Sequence, residues 1–66
     1  MTNAPQLAYR NGRTELYTGN ELRAYVEDEI LFAIAANGYA VRIGEIEHRS
    51  EIVSLWEKWI NDPNNH

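Results

Sequence analysis

The sequence predicts a small α+β domain with the element order ββαβα, in which a three-stranded antiparallel sheet carries two helices packed on one face. Three observations favour this fold class: an Asn-Gly dipeptide between two alternating segments, a long apolar stripe at helical spacing, and a second such stripe near the C terminus. We expect a single domain over residues 7–61, with flexible tails at residues 1–6 and 62–66.

The first two strands are predicted from Asn11-Gly12, which separates two segments of alternating side chains. Asn-Gly favours a type I′ turn because both central residues of that turn have positive φ. A two-residue turn at this position sets Leu7 opposite Leu16 and makes one side of the hairpin apolar.

A long helix is predicted over about residues 19–36. Residues 18–21, Thr-Gly-Asn-Glu, match a capping box, and Gly38 supplies the left-handed residue that ends many helices. Apolar side chains between these two signals recur at helical spacing, and only Glu29 interrupts the stripe. The apolar positions of the stripe are Leu22, Tyr25, Val26, Ile30, Ala33 and Ile34.

The third strand and the second helix follow. Residues 39–43 alternate apolar and polar side chains, which is typical of a strand, and Gly44 shifts the phase of the alternation as a β-bulge would. A helix is expected to begin with Ser50 as its N-cap and to end before Pro63. Its core positions are Ile52, Leu55, Trp56, Trp59 and Ile60.

The composition restricts the function classes. The chain has 66 residues, no cysteine and a formal net charge of −4, which excludes thiolate chemistry and disfavours indiscriminate binding to phosphates. Without a leader-like N terminus or a long apolar run, we expect a cytoplasmic protein that does not enter the membrane. Residues 45–51 contain several acids and His48, but their spacing matches no established metal site. We therefore expect no enzymatic activity, no cofactor and no metal.

Two groups of residues exceed what the predicted fold needs, and they motivate the leading hypothesis. Glu21, Glu27 and Asp28 are expected to form an acidic face of the long helix. Leu31 and Phe32 lie beside its inward stripe, where a helix that covers one sheet does not need apolar side chains. We expect a non-enzymatic protein-binding module that occludes a nucleic-acid-binding surface of its partner. Size and acidity, rather than any motif, suggest an inhibitor or regulator of the phage or mobile-element type.

Two alternatives stay open. Four arginines fall outside the predicted helices: Arg10, Arg13, Arg42 and Arg49. On the open side of a sheet that also carries tyrosines, they would suit a homodimeric nucleic-acid-binding regulator. In the second alternative, the apolar pair of the long helix docks the chain as a subunit of a larger assembly.

Overall fold

A computed structural model describes residues 4–63 and shows a five-stranded antiparallel sheet followed by one α-helix. The strands are neighbours in the order of the chain, so each pairs with the next through a short connection. The elements are β1 Pro5–Arg10, β2 Arg13–Thr18, β3 Glu21–Glu27, β4 Ile30–Ile34, β5 Ala40–Glu45 and α1 Glu51–Ile60. The chain combines α and β structure as expected, but the predicted ββαβα order, with three strands and two helices, is wrong.

The first hairpin confirms the predicted turn and register. Asn11 and Gly12 have φ values of 55° and 75°, as a type I′ turn requires. Leu7 lies opposite Leu16 in the ladder between β1 and β2. Both leucines face the core, so the apolar side of the hairpin is the inward side.

The predicted helix over residues 19–36 is wrong, because this segment forms β3, a two-residue turn and β4. Glu27 lies opposite Ile30, and the turn between them is Asp28-Glu29, with φ values of 52° and 65°. Both values are those of a type I′ turn, a conformation that glycine and asparagine adopt more readily than glutamate. Glu29, the residue that interrupts the helical stripe, is therefore a turn residue.

The signals that favour a helix in this segment are also compatible with hairpins. Thr18 pairs with Glu21 across a tight turn in which Gly19 has a φ of 64°, so the capping-box pattern belongs to the β2–β3 hairpin. The run of apolar residues 30–34 is too short and continuous for its periodicity to distinguish a helix from a strand. Its β-branched and aromatic side chains favour a strand. Pairing with neighbouring strands on both sides supplies the backbone hydrogen bonds that a helix would make internally.

The predicted irregularity at Gly44 is confirmed as a β-bulge in β5. Leu31 lies opposite Gly44 and the next residue of β4 lies opposite Arg42, so Ile43 is the extra residue. The bulge changes the phase of the alternation, and as a result Ile46 is buried in the core.

The core lies between one face of the sheet and α1. The helix comes so close to β5 that a Cβ atom on Gly44 would lie 3.0 Å from the Cδ2 atom of Leu55. Burial of a large apolar side chain contributes roughly 1.5–3 kcal/mol, so this single layer is the main source of stability. The buried apolar residues are Leu16, Ala24, Leu31, Ala33, Ile46, Ile52 and Trp56.

The start of α1 confirms the predicted final helix but corrects its cap. Ser50 already has helical backbone angles, φ −63° and ψ −17°, and its side chain makes no capping hydrogen bond. Instead, the Glu51 carboxylate accepts hydrogen bonds from the backbone N–H groups of His48 and Glu47, at 2.7 and 3.0 Å. These bonds lower the pKa of Glu51 because they favour the charged carboxylate. The carboxylate thereby closes the turn from β5 into α1.

The two expected tails are described only in part. Pro5 and Gln6 belong to β1, whereas residues 1–3 and 64–66 lie outside the described residues. Helix α1 has 10 residues, and no helix within residues 4–63 is long and apolar enough to cross a bilayer.

Replacing Glu29 with glycine is expected to stabilise the domain. A left-handed backbone costs a non-glycine residue roughly 1–2 kcal/mol, and the extra freedom of glycine in the unfolded chain offsets part of the gain. We expect Glu29→Gly to raise the free energy of unfolding by about 0.5–1 kcal/mol in urea denaturation. Glu29→Gln controls for the removed charge; if it stabilises the domain equally, the turn conformation is not the cause.

Truncation of two adjacent residues of β4 is expected to have unequal effects. Leu31→Ala removes a completely buried side chain, so we expect the free energy of unfolding to fall by about 2–5 kcal/mol. Phe32 is half buried on the opposite face, so Phe32→Ala should lower it substantially less. Equal losses in the two variants, measured by urea denaturation, would contradict this placement.

Candidate functional site on the open face of the sheet

The face of the sheet opposite α1 is covered by no other helix or strand within residues 4–63. Side chains alternate between the two faces of a strand, so the residues between core positions point to this open face. Its middle row follows the cross-strand pairs from Ala8 to Glu15, Tyr25, Phe32 and Arg42. One level row of side chains therefore crosses all five strands.

Six side chains on the open face contact one another and are termed here the open-face cluster: Arg10, Arg13, Glu15, Tyr17, Tyr25 and Phe32. The carboxylate of Glu15 is its centre, because this residue is only 3% exposed. Its Oε2 atom accepts a hydrogen bond from Nε of Arg13 at 3.0 Å, and its Oε1 atom accepts one from the hydroxyl of Tyr17 at 2.8 Å. A buried carboxylate requires such partners, so Glu15 holds both side chains in place.

The rings of the open-face cluster stack on each other and on the arginines. Tyr25 and Phe32 lie opposite each other on β3 and β4, with ring centroids 5.3 Å apart and ring planes inclined by 22°. The guanidinium of Arg13 lies 4.1 Å from the centroid of Tyr25, and that of Arg10 lies 5.8 Å from the centroid of Tyr17. Stacking and cation–π attraction favour both arrangements and hold the rings in place.

The contacts of the cluster shift two pKa values in opposite directions. The hydrogen bond from Tyr17 lowers the pKa of Glu15 below its ordinary value of 4.5; the adjacent Arg13 adds to this effect, and burial opposes it. The same hydrogen bond, together with burial, raises the pKa of Tyr17 above its ordinary value of 10.0. A charged carboxylate and a neutral phenol therefore persist over a wide pH range.

The open-face cluster presents aromatic rings and guanidinium groups. Its buried carboxylate already has two donors, and no group of three potential metal ligands converges in the part of the chain that the structure describes. Half-exposed rings beside arginines suit contact with another partly apolar surface.

Three of the four arginines singled out in the sequence lie on the open face. Arg10 and Arg13 belong to the open-face cluster, and Arg42 lies at the β5 end of the middle row, 4.0 Å from a carboxylate oxygen of Glu45. Arg49 lies outside the sheet, in the turn that precedes α1.

The three acidic residues do not share one face, because the long helix does not exist. Glu21 lies beside the β2–β3 turn, whereas Glu27 and Asp28 lie at the opposite end of β3. Seven strand residues separate these ends by roughly 20 Å. All three side chains are exposed, and Glu21 forms an ion pair with Arg23 at 3.2 Å. The expected acidic helix face is thus replaced by acidic residues at two ends of the sheet.

Leu31 and Phe32 are separated by the sheet. Leu31 is completely buried under α1, whereas Phe32 stacks on Tyr25 on the other side. Only Phe32 of this pair reaches the open face.

Glu15 and Tyr25 are members of the surface that sequence analysis does not identify. A signal for Glu15 is present, because alternation along β2 places Arg13, Glu15 and Tyr17 on the same side of the first hairpin. The helical spacing assigns Tyr25 to the apolar stripe of the predicted helix, and that assignment does not place it opposite Phe32.

Comparisons with known proteins give no match: no family model, no curated protein and no solved structure matches the chain. Function is therefore inferred from the open-face cluster and its surroundings.

The pair of Glu15 and Tyr17 is expected to make stability depend on pH in two windows. Because the pKa of Glu15 is lowered on folding, its contribution is complete above about pH 4.5 and is lost as the pH falls through the folded-state value. Because the pKa of Tyr17 is raised on folding, its contribution is complete below about pH 10 and is lost as the pH rises through the folded-state value.

Urea denaturation as a function of pH measures both windows. Glu15→Gln is expected to weaken the dependence at acid pH, and Tyr17→Phe is expected to weaken it at alkaline pH. Tyr39→Phe, which changes a tyrosine that is 74% exposed, controls for the loss of a phenol. An acid dependence that is the same in Glu15→Gln and in the wild type would contradict the role of this carboxylate.

Proposed function

We propose that this chain is a non-enzymatic protein-binding module that contacts its partner through the open face of the sheet. The observation that carries the proposal is a sheet face without a covering layer on which Tyr17, Tyr25 and Phe32 are half buried through contacts within the cluster. A two-layer domain buries only one face of its sheet, so an aromatic second face is most easily explained by contact with another surface.

The composition of the open face favours a protein partner. Aromatic residues and arginine are enriched at the centres of protein interfaces, where single side chains of these types dominate the binding energy. Ile30 and Ile34 alternate with the core residues of β4 and extend the apolar surface on both sides of Phe32. Because the rings are already held by stacking, they lose little conformational freedom on binding.

The charge balance also favours a protein over a nucleic acid. Arg13, Arg23 and Arg42 each lie within 4.0 Å of a carboxylate, so their charges are partly matched within the chain. The formal net charge of −4 opposes approach to a phosphate backbone, because that binding depends on clustered lysine and arginine. A partner with a mixed polar and apolar surface suits both features.

Inhibition or regulation of the partner belongs to the same proposal as a consequence of occupying its surface. Glu27 and Asp28 supply negative charge at one margin of the open face, next to the β3–β4 turn. A partner with basic residues beside an apolar groove would match this arrangement, and grooves of this kind often bind nucleic acid.

Affinity capture from extract of the native cell tests the proposal. The immobilised wild-type chain is expected to enrich specific proteins, and Phe32→Glu is expected to reduce their recovery about tenfold or more, since it places a charge within the contact surface. Tyr9→Glu is the matched control, because Tyr9 is 71% exposed and alternates with the open-face residues of β1. Urea denaturation verifies that both variants are folded. Unchanged recovery with folded Phe32→Glu would refute a binding role for this face.

A single-stranded nucleic acid is the second candidate, and the observation that favours it is the stack of Arg13, Tyr25 and Phe32. Bases stack on aromatic rings of this kind, and guanidinium groups pair with phosphates. Fluorescence anisotropy of labelled single-stranded oligonucleotides at low ionic strength tests this function. Binding that weakens with salt and is lost in Tyr25→Ala would support it, whereas unchanged anisotropy at about 50 mM salt would reject it.

A further inference from the structure

We infer that the partner of the open face is a second copy of this chain, packed face to face as a symmetric dimer. The inference rests on the proposed function, since it names the protein that the open face binds. Two sheets packed in this way form a sandwich with the aromatic rings between them, and the two copies of α1 lie on the outside.

The strand order is compatible with such a pair. β3 is the central strand and has two strands on each side. A two-fold axis that runs along β3 places β1 of one copy over β5 of the second copy, and β2 over β4. Tyr25 then lies near the axis and faces its own counterpart, while on β2 Glu15 lies over Phe32 and Tyr17 lies over Ile34 of the second copy.

Charges at the two edges of the open face are complementary about this axis, whereas Glu27 of the same row lies on β3 and faces its own counterpart. Arg10 pairs with Arg13 and Ile30 pairs with Glu45 at the same end of the sheet, so Arg10 and Glu45 occupy opposite edges of one row. The two-fold axis therefore sets Arg10 of each copy over Glu45 of the other. Symmetry produces this contact twice.

A two-fold axis that runs across the strands also brings the faces together, but it lacks the complementarity of Arg10 and Glu45. It would place β1 over β1 with opposite ends together, so that Arg10 of one copy meets Gln6 of the other. Glu45 would similarly meet Ala40, at the far end of β5. This axis would also set Glu15 and Arg42 of the middle row opposite their own counterparts, so the charges favour the axis along β3.

Edge-to-edge addition of strands is the remaining way for a second copy to extend the sheet, and both edges carry features that oppose it. β1 begins with Pro5, which has no backbone N–H to donate. β5 contains the bulge at Ile43, which disturbs the outward row of hydrogen-bonding groups. The open face is thus the surface that suits a second copy.

The size of the face sets the expected strength of the dimer. Five strands of five to seven residues span roughly 400–500 Å² in projection, and the relief of the side chains raises the accessible area that is buried. Interfaces of standard size bury about 800 Å² per partner. The face is therefore at the lower end of interface sizes, and we expect a weak, reversible dimer that forms as the concentration rises.

Sedimentation velocity of the purified chain between about 5 and 500 µM tests the dimer. With rising concentration, the wild type is expected to approach twice the chain mass of 7.6 kDa. Tyr25→Glu replaces the two facing rings with carboxylates, next to the carboxylates of Glu27, and is expected to keep the chain monomeric over this range. Tyr9→Glu is expected to dimerise like the wild type.

A charge exchange tests the orientation of the two copies without substituting any of the aromatic residues. Arg10→Glu and Glu45→Arg are each expected to weaken dimerisation about tenfold, because each opposes like charges twice per dimer. The double variant restores opposite charges between the two copies and is expected to dimerise more strongly than either single variant. A loss of folding cannot produce that recovery, and a double variant as weak as the single variants overturns the proposed orientation.

A wild-type chain that stays monomeric up to the highest concentration overturns the inference, and so does unchanged dimerisation in Tyr25→Glu. If the wild type is monomeric but Phe32→Glu still loses the captured proteins, the second copy is the wrong partner and the proposed function stands. If the wild type is monomeric and capture is insensitive to Phe32→Glu, both proposals fail.

Discussion

Antiparallel pairing of β3 with β4 is the constraint on which the rest of the structure depends, because it determines which side chains face α1 and which face outward. The pair of Ala24 and Ala33 points inward, and the adjacent pair of Tyr25 and Phe32 points outward. Gly44 lets α1 approach β5 closely, because a Cβ atom at this position would lie 3.0 Å from Leu55. The bulky rings are consequently placed on the face that α1 cannot reach. The two faces of one sheet therefore differ in kind: one is a packed core and the other is an aromatic surface.

The open face is ordered by polar contacts rather than by a second layer. A carboxylate that is almost completely buried would be costly without donors, and Glu15 has one from Arg13 and one from Tyr17. Arg13 in turn stacks on Tyr25. The rings thus keep a defined position although they are partly exposed. A surface that is ordered before binding loses less conformational entropy when a partner binds. The Glu15 carboxylate therefore contributes both to the stability of the domain and to the order of the open-face cluster.

In so short a chain, the turns determine much of the pairing between strands. A meander of five strands has only local connections, so two-residue turns set the register of most of the sheet. Asn11-Gly12 and Gly19 adopt positive φ at little cost, whereas Glu29 adopts it against its preference. The carbonyl oxygen of Glu29 accepts a hydrogen bond from the backbone N–H of Ile46 at 2.7 Å. This contact ties the strained turn to the segment that leads into α1, so the turn is held by tertiary structure as well as by its own geometry.

The sequence by itself determined the first hairpin with its register, the strand β5 with its bulge, and the helix α1, because each rests on a local signal that has one structural meaning. It also indicated that Arg10, Arg13 and Arg42 belong to the sheet rather than to a helix. Only the tertiary structure decided residues 19–36. Their apolar side chains satisfy the spacing of a helix and also line both faces of a strand, so local pattern cannot distinguish the two. Hydrogen bonding to β2 on one side and to β5 on the other resolves the choice, and it brings Tyr25 and Phe32 to the same face as the arginines. That juxtaposition involves partners on separate strands, which is why no local pattern in the sequence reveals it.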